Sequence, residues 1–308
     1  MKEVLGVIFI LLAVYSLAAA SGLFSERSGT VNLSIAGGMT MGALGYVLTT
    51  FLLTSQGKNQ MEIWMVIIGL FVSIIFGLLT ISLLAFASIN LRGNQVVIGM
   101  AINIMVPIIS LVVVVMLTTG NFTVPMTKLQ ITTGIESSLE PWIIQMIISF
   151  VVAFIMVGLF VLMRKTTFGL RLRSAGENPH ALAATGVSVI TIKHLAMLIS
   201  GILAGFAGGL VVSSYAKFSS YANSTLGMGY IAIAILILGQ WRMQFIVLGS
   251  LAFATMFAVI DHYSVQLAEY KHILAIIPYA MTIVSLPFIS KLNNMPKADG
   301  IPYVNSGR

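Results

Sequence analysis

The sequence predicts an all-α integral membrane protein, a bundle of about nine (eight to ten) transmembrane helices. The first observation behind this is composition: of 308 residues, 58% are hydrophobic and only 8% are charged. A soluble domain carries about 25% charged residues. The second observation is that the apolar residues fall into runs long enough to cross a hydrocarbon core of about 30 Å. Lipid is therefore predicted to be the main solvent of this chain.

The apolar runs define nine predicted spans. They cover residues 4–23, 30–54, 63–89, 95–118, 142–163, 192–214, 226–240, 244–260 and 273–290. The first run resembles a signal peptide, but its length of about twenty residues is enough to span, so we take it as the first helix. The seventh and eighth runs are short or closely spaced, and each could be broken or re-entrant. Residues 1–290 are thus predicted to form the transmembrane domain, followed by a solvated cytoplasmic tail over 291–308.

The charged residues orient the bundle. The densest basic cluster lies between residues 164 and 193, and the positive-inside rule places it in the cytoplasm. With nine spans, this puts eleven of the sixteen basic residues, including every arginine, inside, with the N-terminus outside and the C-terminus inside. The outside keeps Lys2, Lys58, Lys128, Lys217 and Lys271. Orientation therefore explains the net charge of +7 without any nucleic-acid partner.

Several kinds of chemistry are disfavoured by the sequence. It has no cysteine, which rules out thiolate sites. The four histidines are not clustered with carboxylates at ligand spacing, so we predict no metal site. No nucleophile and base pair is suggested by spacing, so no catalytic residue is predicted. No phosphate-binding G-x-x-x-x-G-K-[ST] motif occurs, and no acid lies near the centre of a span. The energy for any transport is expected to come from another chain.

The loop between the fifth and sixth spans contains a short predicted helix, over about residues 178–186. Asn178 suits the N-cap, Pro179 suits the first helical position, and Gly186 suits a left-handed C-terminal residue. A helix of about two turns is unstable alone in water. Its small side chains are typical of a surface that packs closely against another protein, although an ordinary amphipathic helix on the membrane surface is the alternative.

This loop resembles the coupling-helix segment of ABC importer permeases of the branched-chain amino acid, sugar and nucleoside group. The resemblance covers most of the chain, because four further segments match in the family's order: residues 26–37, 91–103, 200–209 and 227–234. The combination is most similar to the shorter nucleoside permease subunit. One departure is Ala36, where the family commonly has an acid, so any role of that acid does not carry over.

The resemblance implies a multi-pass subunit of the cell membrane that binds no cofactor itself. Its implied partners are ABC ATPase subunits holding Mg-ATP, a second homologous permease in a heterodimer, membrane lipid and an extracellular lipoprotein-type substrate-binding protein. Nucleosides are the leading solute, with branched-chain amino acids or ribose-like sugars as alternatives. The residues expected to couple to the ATPase are Asn178, Pro179, His180, Ala181, Ala183, Ala184 and Gly186, flanked by Arg171 and Arg173.

Uncharged polar residues within the spans suit a neutral polar solute. Asn32, Ser34, Asn103 and Gln145 are the candidate pathway residues, although each alone is more typical of a hydrogen bond between helices. Gly201, Gly205, Gly208 and Gly209 form a stripe that favours close helix packing. The competing functions are a secondary carrier or channel, which would work without an ATPase, and a membrane enzyme, for which the sequence offers no polar cluster.

Overall fold

The structure is a computed structural model, and it describes residues 2–55, 62–117, 140–215, 225, 227–263, 276–277, 279–280, 282–283 and 294–304. Seven helices in these ranges are long and apolar enough to cross a membrane. They are α1 (Lys2–Arg27), α2 (Ile35–Ser55), α3 (Ile63–Ala85), α4 (Gln95–Leu117), α5 (Pro141–Lys165), α8 (Val189–Leu210) and α10 (Met243–Tyr263). Three shorter helices are α6 (Thr167–Glu177), α7 (Pro179–Ala184) and α9 (Met228–Leu238). Short π-helical turns, Phe86–Asn90 and Val211–Tyr215, extend α3 and α8.

The predicted all-α membrane bundle is confirmed. Each of the first eight predicted spans coincides with a helix, although the seventh is only the 11-residue α9. The eighth is the full-length α10. The ninth, 273–290, lies mostly outside the described residues. Eight charged residues of the charge assignment and one histidine also lie outside them. Those are Lys58, Lys128, Glu136, Lys217, Glu269, Lys271, His272, Lys291 and Arg308.

Helices α1, α2 and α8 form the centre of the bundle. α1 packs against α5, α8, α9 and α10, and α2 packs against α3, α4 and α8. The outer helices α3, α4, α5 and α10 turn apolar side chains outward, and Phe154 of α5 is 82% exposed. Such a surface suits contact with lipid or a neighbouring subunit, because exposing so much apolar area to water would be unfavourable.

Glycines let the central helices approach closely, as the stripe on α8 predicted. A Cβ on Gly208 would lie 1.9 Å from the Met39 carbonyl oxygen of α2. A Cβ on Gly205 would lie 2.5 Å from the Ser73 carbonyl oxygen of α3. Only glycine fits at these two crossings, since the backbones of the neighbouring helices occupy the space of any side chain.

A non-helical segment with a turn at each end, residues 28–34, joins α1 to α2 inside the bundle. The predicted span 30–54 is therefore helical only from Ile35, for local reasons. Gly29 has φ +77°. The Asn32 Oδ1 accepts hydrogen bonds from the Ser34 N–H (3.0 Å) and the Ser34 hydroxyl (2.8 Å). Side chains of α4 and α8 satisfy the segment's backbone. Gln95 accepts from the Val31 N–H (2.7 Å), Asn103 donates to the Leu33 carbonyl (2.6 Å), and Lys193 donates to the Gly29 carbonyl (2.8 Å).

Candidate functional site

The loop between α5 and α8 folds as two helices, α6 and α7, that form the candidate docking surface. At its start, the Thr166 hydroxyl accepts a hydrogen bond from the Gly169 N–H (3.2 Å). A Cβ on Gly169 would lie 2.2 Å from the Met163 carbonyl oxygen, so glycine is required where α6 turns back onto the end of α5. α6 buries Leu172 and Ala175 against the bundle. This packing fixes the position from which α7 projects.

The predicted capping of α7 is confirmed, with helical residues Pro179–Ala184 rather than the whole of 178–186. The Asn178 Oδ1 accepts a hydrogen bond from the Ala181 N–H (3.0 Å), and Pro179 takes the first helical position. Gly186 follows the helix with φ +81°. These caps supply partners for groups that a helix end leaves unsatisfied, so two turns can hold their shape on the surface.

The outer face of α7 carries two alanines and one histidine. His180, Ala181 and Ala184 are exposed, whereas Leu182 is buried and Ala183 packs partly on the core. Leu182 thus anchors the helix, and the alanines leave a flat surface. The flanking arginines, Arg171 and Arg173, are both exposed. The Arg173 Nε donates a hydrogen bond to the Gly169 carbonyl (3.3 Å).

The chain's last described segment, residues 294–304, docks against α6 and α7. Six of its residues are exposed, as a solvated tail predicts, but Pro296 and Ala298 are buried and the Ala298 N–H donates to the Gly176 carbonyl (2.8 Å). A Cβ on Gly176 would lie 2.4 Å from the Arg27 carbonyl oxygen and 3.1 Å from the Pro296 Cβ, so the missing side chain leaves room for the end of α1 and for the tail. The Tyr303 ring lies 5.3 Å from the His180 ring of α7. The tail therefore braces the candidate coupling helix.

Buried charged groups lie beneath α6. Lys193 is 2% exposed, and Glu26 accepts a hydrogen bond from the Trp241 Nε1 (2.5 Å). Both carboxylate oxygens of Asp299 are buried beside these groups. Burial raises the pKa of Asp299 from 3.8 to about 7, although the nearby Lys193 ammonium acts in the opposite direction. The cluster connects α1, α8 and the tail.

Arg27 fixes the turn between α9 and α10. Its Nε and Nη2 donate to the Trp241 carbonyl oxygen (3.1 and 2.7 Å), and its Nη1 lies 3.9 Å from the Glu177 carboxylate. Gln240 and Trp241 have φ of +52° and +53°, an unfavourable backbone for residues with side chains. The bidentate contact holds this strained turn against the end of α1.

Three of the four candidate pathway residues come together at the start of α2. The Asn32 Nδ2 donates to the Ser200 hydroxyl (2.9 Å), and its Oδ1 accepts from Ser34. The Asn103 Oδ1 accepts a hydrogen bond from the Gly37 N–H (2.7 Å), while its Nδ2 donates to the Leu33 carbonyl (2.6 Å). Ser200 is a further member of this network that was not predicted from the sequence. Its position directly before the glycine stripe was the available signal.

Gln145 lies apart from this network. Its Nε2 donates to the Ser214 carbonyl (2.8 Å) at the π-helical end of α8. Within the described ranges, no group of three His, Cys, Asp or Glu side chains is placed to hold a metal ion. The site's polar groups are thus amides, hydroxyls and backbone atoms bonded between helices.

Comparison with protein families gives one match over nearly the whole chain. Residues 4–286 match the family described as the permease component of the branched-chain amino acid transport system. No solved structure matches the chain.

Three relatives show the range of similarity. The nucleoside ABC transporter permease protein NupC of Lactococcus lactis is 31% identical over 310 residues, which cover 92% of this chain and 91% of the relative. The guanosine ABC transporter permease protein NupQ of Bacillus subtilis is 32% identical over 95% of this chain and 93% of its own length. A second guanosine permease of that organism, NupP, is 33% identical, but only over 26% of this chain and 23% of its own length.

Proposed function

Because the chain belongs to the permease-component family of branched-chain amino acid transport systems, we propose that it translocates nucleosides as one permease subunit of an ATP-driven importer. The observation that carries the solute class is the similarity, at 31% and 32% identity over more than nine tenths of both chains, to permeases named for nucleoside and guanosine transport. The family membership makes the chain a transport component of a membrane rather than an enzyme. ATP with Mg²⁺ is then held by a separate ATPase subunit.

The proposed ATPase contact is α7 with its two ends. Support comes from the exposure of His180, Ala181 and Ala184 and from the open space around Gly186, where a Cβ would have no described atom within 4 Å. Asn178 and Pro179 set the start of the helix, Ala183 supports it, and Arg171 and Arg173 flank it. Closure of the ATPases on ATP would move α7 together with α6 and the docked tail as one rigid element.

The proposed orientation has nine spans, with the N-terminus outside and the C-terminus inside. Four predicted inside arginines, Arg27, Arg164, Arg173 and Arg242, line one cavity next to α6, which supports a common cytoplasmic side. At the other end of α1, the Lys2 ammonium pairs with Glu140 at 3.5 Å, and both are predicted to be outside. The charge distribution and the packing thus agree.

The proposed partners include a second, homologous permease. Bacillus subtilis has two guanosine permease proteins that are both similar to this chain, one over 95% of this chain and one over 26%. A heterodimer of this chain with such a permease would place the solute pathway between or within the two bundles. A lipoprotein-type binding protein would deliver solute to the outer face.

For the solute pathway we propose the neighbourhood of Asn32, Ser34 and Asn103, where buried polar side chains concentrate. In the state described, these side chains bond one another and the backbone, so they would contact solute only after α2 and α4 move. Gln145 would act separately, beside Ser214.

The test is uptake by the complex reconstituted in liposomes with its ATPase, second permease and binding protein. Labelled guanosine, uridine, leucine and ribose are offered with and without ATP. We expect ATP-dependent accumulation of the nucleosides alone. Uptake without an ATPase would identify a secondary carrier or channel, and ATP-driven uptake of only leucine or ribose would refute the solute class while leaving the permease assignment in place.

A further inference from the structure

A cavity of about 350 Å³ at the proposed cytoplasmic end of the bundle is lined by four arginines. Arg27 comes from the end of α1, Arg164 from the end of α5, Arg173 from α6 and Arg242 from the turn between α9 and α10. Four separate elements thus direct guanidinium groups to one place. Arg27 is close enough to Arg173 and Arg242 for electrostatic interaction with each, so like charges are held together against their mutual repulsion.

The arginines carry more positive charge than the surrounding acids neutralise. In the part of the chain that the structure describes, only Arg27 has a carboxylate within 4.0 Å, that of Glu177. Arg164 instead stacks on the Phe160 ring, with its Cζ 5.2 Å from the ring centroid. Arg242 lies 5.9 Å from the ring of Phe245. Arg164 and Arg242, held near aromatic rings, retain N–H donors for a phosphate group, whereas Arg27 contributes mainly its charge because its donors already bind the Trp241 carbonyl.

An apolar groove of about 310 Å³ adjoins this cavity on the side toward the middle of the bundle. The two share Phe160 and Met243 in their walls. The groove lies between α1, α5 and α10, and Leu12, Val152, Met156 and Val247 are among its apolar lining residues. Leu12 and Arg27 are about 22 Å apart along α1, at 1.5 Å per residue. One leaflet of a bilayer core is about 15 Å thick, so cavity and groove together match a headgroup and an acyl chain.

We propose that this cavity and groove bind an anionic phospholipid, with its phosphate among the four arginines and an acyl chain between α1, α5 and α10. An apolar groove alone would accept any lipid, and an arginine cavity alone would accept free phosphate. Because the two adjoin at Phe160 and Met243, together they favour a ligand with both parts. The choice of the cytoplasmic leaflet rests on the orientation given above, whereas the binding chemistry does not.

The experiment is lipid binding to the purified full-length chain in detergent, measured by native mass spectrometry. Dioleoyl phosphatidylglycerol, dioleoyl phosphatidylcholine and glycerol 3-phosphate are titrated separately. We expect phosphatidylglycerol to bind at least about tenfold more tightly than phosphatidylcholine, and glycerol 3-phosphate not to displace it at equal concentration. Arg164→Gln should weaken phosphatidylglycerol binding about fivefold, and Arg164→Gln with Arg242→Gln about thirtyfold.

Matched variants separate the site from general surface charge and surface area. Lys165→Gln removes the neighbouring charge, which does not line the cavity, and should leave affinity within about twofold. Ala153→Phe fills the groove and should weaken binding, whereas Val151→Phe on the same helix should not. Arg164 and Ala153 are exposed, so their substitution spares the core and the single variants remain informative if the double variant fails to fold.

Three results would overturn the proposal. Equal affinity for phosphatidylcholine would show that the arginines do not recognise the headgroup charge. Displacement by glycerol 3-phosphate, with no effect of Ala153→Phe, would identify a site for free phosphate. Equal losses from Lys165→Gln and Arg164→Gln would show attraction to the basic surface as a whole. None of these results depends on the solute, so they are independent of the uptake test.

Discussion

Replacing Gly186 with valine should uncouple ATP hydrolysis from uptake by disturbing the end of α7. Gly186 has φ +81°, and a Cβ added there would meet no described atom within 4 Å. The cost is therefore purely one of backbone conformation. An L-residue in the left-handed region costs about 1–2 kcal/mol, with a β-branched residue at the upper end. About 2 kcal/mol lowers the population of the capped helix roughly thirtyfold relative to other backbone states.

Asparagine at the same position is the matched control, because it tolerates positive φ far better than valine does. The assay is the reconstituted complex, with ATP hydrolysis and nucleoside uptake measured on the same liposomes. We expect Gly186→Val to raise the number of ATP molecules hydrolysed per nucleoside severalfold and Gly186→Asn to change it by less than about twofold. Membrane insertion should stay unchanged, and any loss of stability should not exceed the backbone cost of about 2 kcal/mol, since Gly186 lies on the surface. Equal coupling in the two variants would refute the docking role of α7.

Two further predictions concern packing and the tail. Gly208→Ala should destabilise the protein by about 1–3 kcal/mol, because its Cβ would lie 1.9 Å from the Met39 carbonyl oxygen. Gly158→Ala has open space around it and should stabilise the protein by about 0.5–1 kcal/mol. Thermal unfolding in detergent compares the two variants. The docked tail should hold a proton on Asp299, with its pKa of about 7 rather than 3.8, so docking is strongest below pH 4 and weakens about tenfold from pH 6 to 8. The protection factor of the Ala298 amide against hydrogen exchange should show this loss, and the loss should be smaller in Asp299→Asn; the same pH dependence of protection in both proteins would exclude Asp299 as its source.

The bundle was predictable because hydrophobic length is a strong local signal. The predicted span 95–118 became Gln95–Leu117, and 142–163 became Pro141–Lys165. The caps of α7 were equally predictable, because Asn178, Pro179 and Gly186 each act through their own backbone or that of residues within three positions. Local chemistry of this kind needs no knowledge of distant contacts.

Docking of the tail was not predictable from such signals. Pro296 and Ala298 lie in a short segment rich in proline and glycine, which is typical of solvated ends. Their burial involves contact with Gly176, more than a hundred residues earlier in the chain. The convergence of four arginines was hidden for the same reason. The positive-inside rule assigns arginines to a side of the membrane, but it does not say that those of four elements share one cavity.

The charged cluster beneath α6 sets an order on biosynthesis. Glu26 is among the first residues to leave the ribosome, Lys193 follows after five long helices, and Asp299 comes after every helix described. Since chains fold from the N-terminus as they are made, Lys193 can enter its position before its acidic neighbour from the tail exists. A nascent or truncated chain would hold that cation beside Glu26 alone. Arrival of residues 294–304 would then bring the Asp299 carboxyl beside the cation, so the cluster is complete only once the tail has docked.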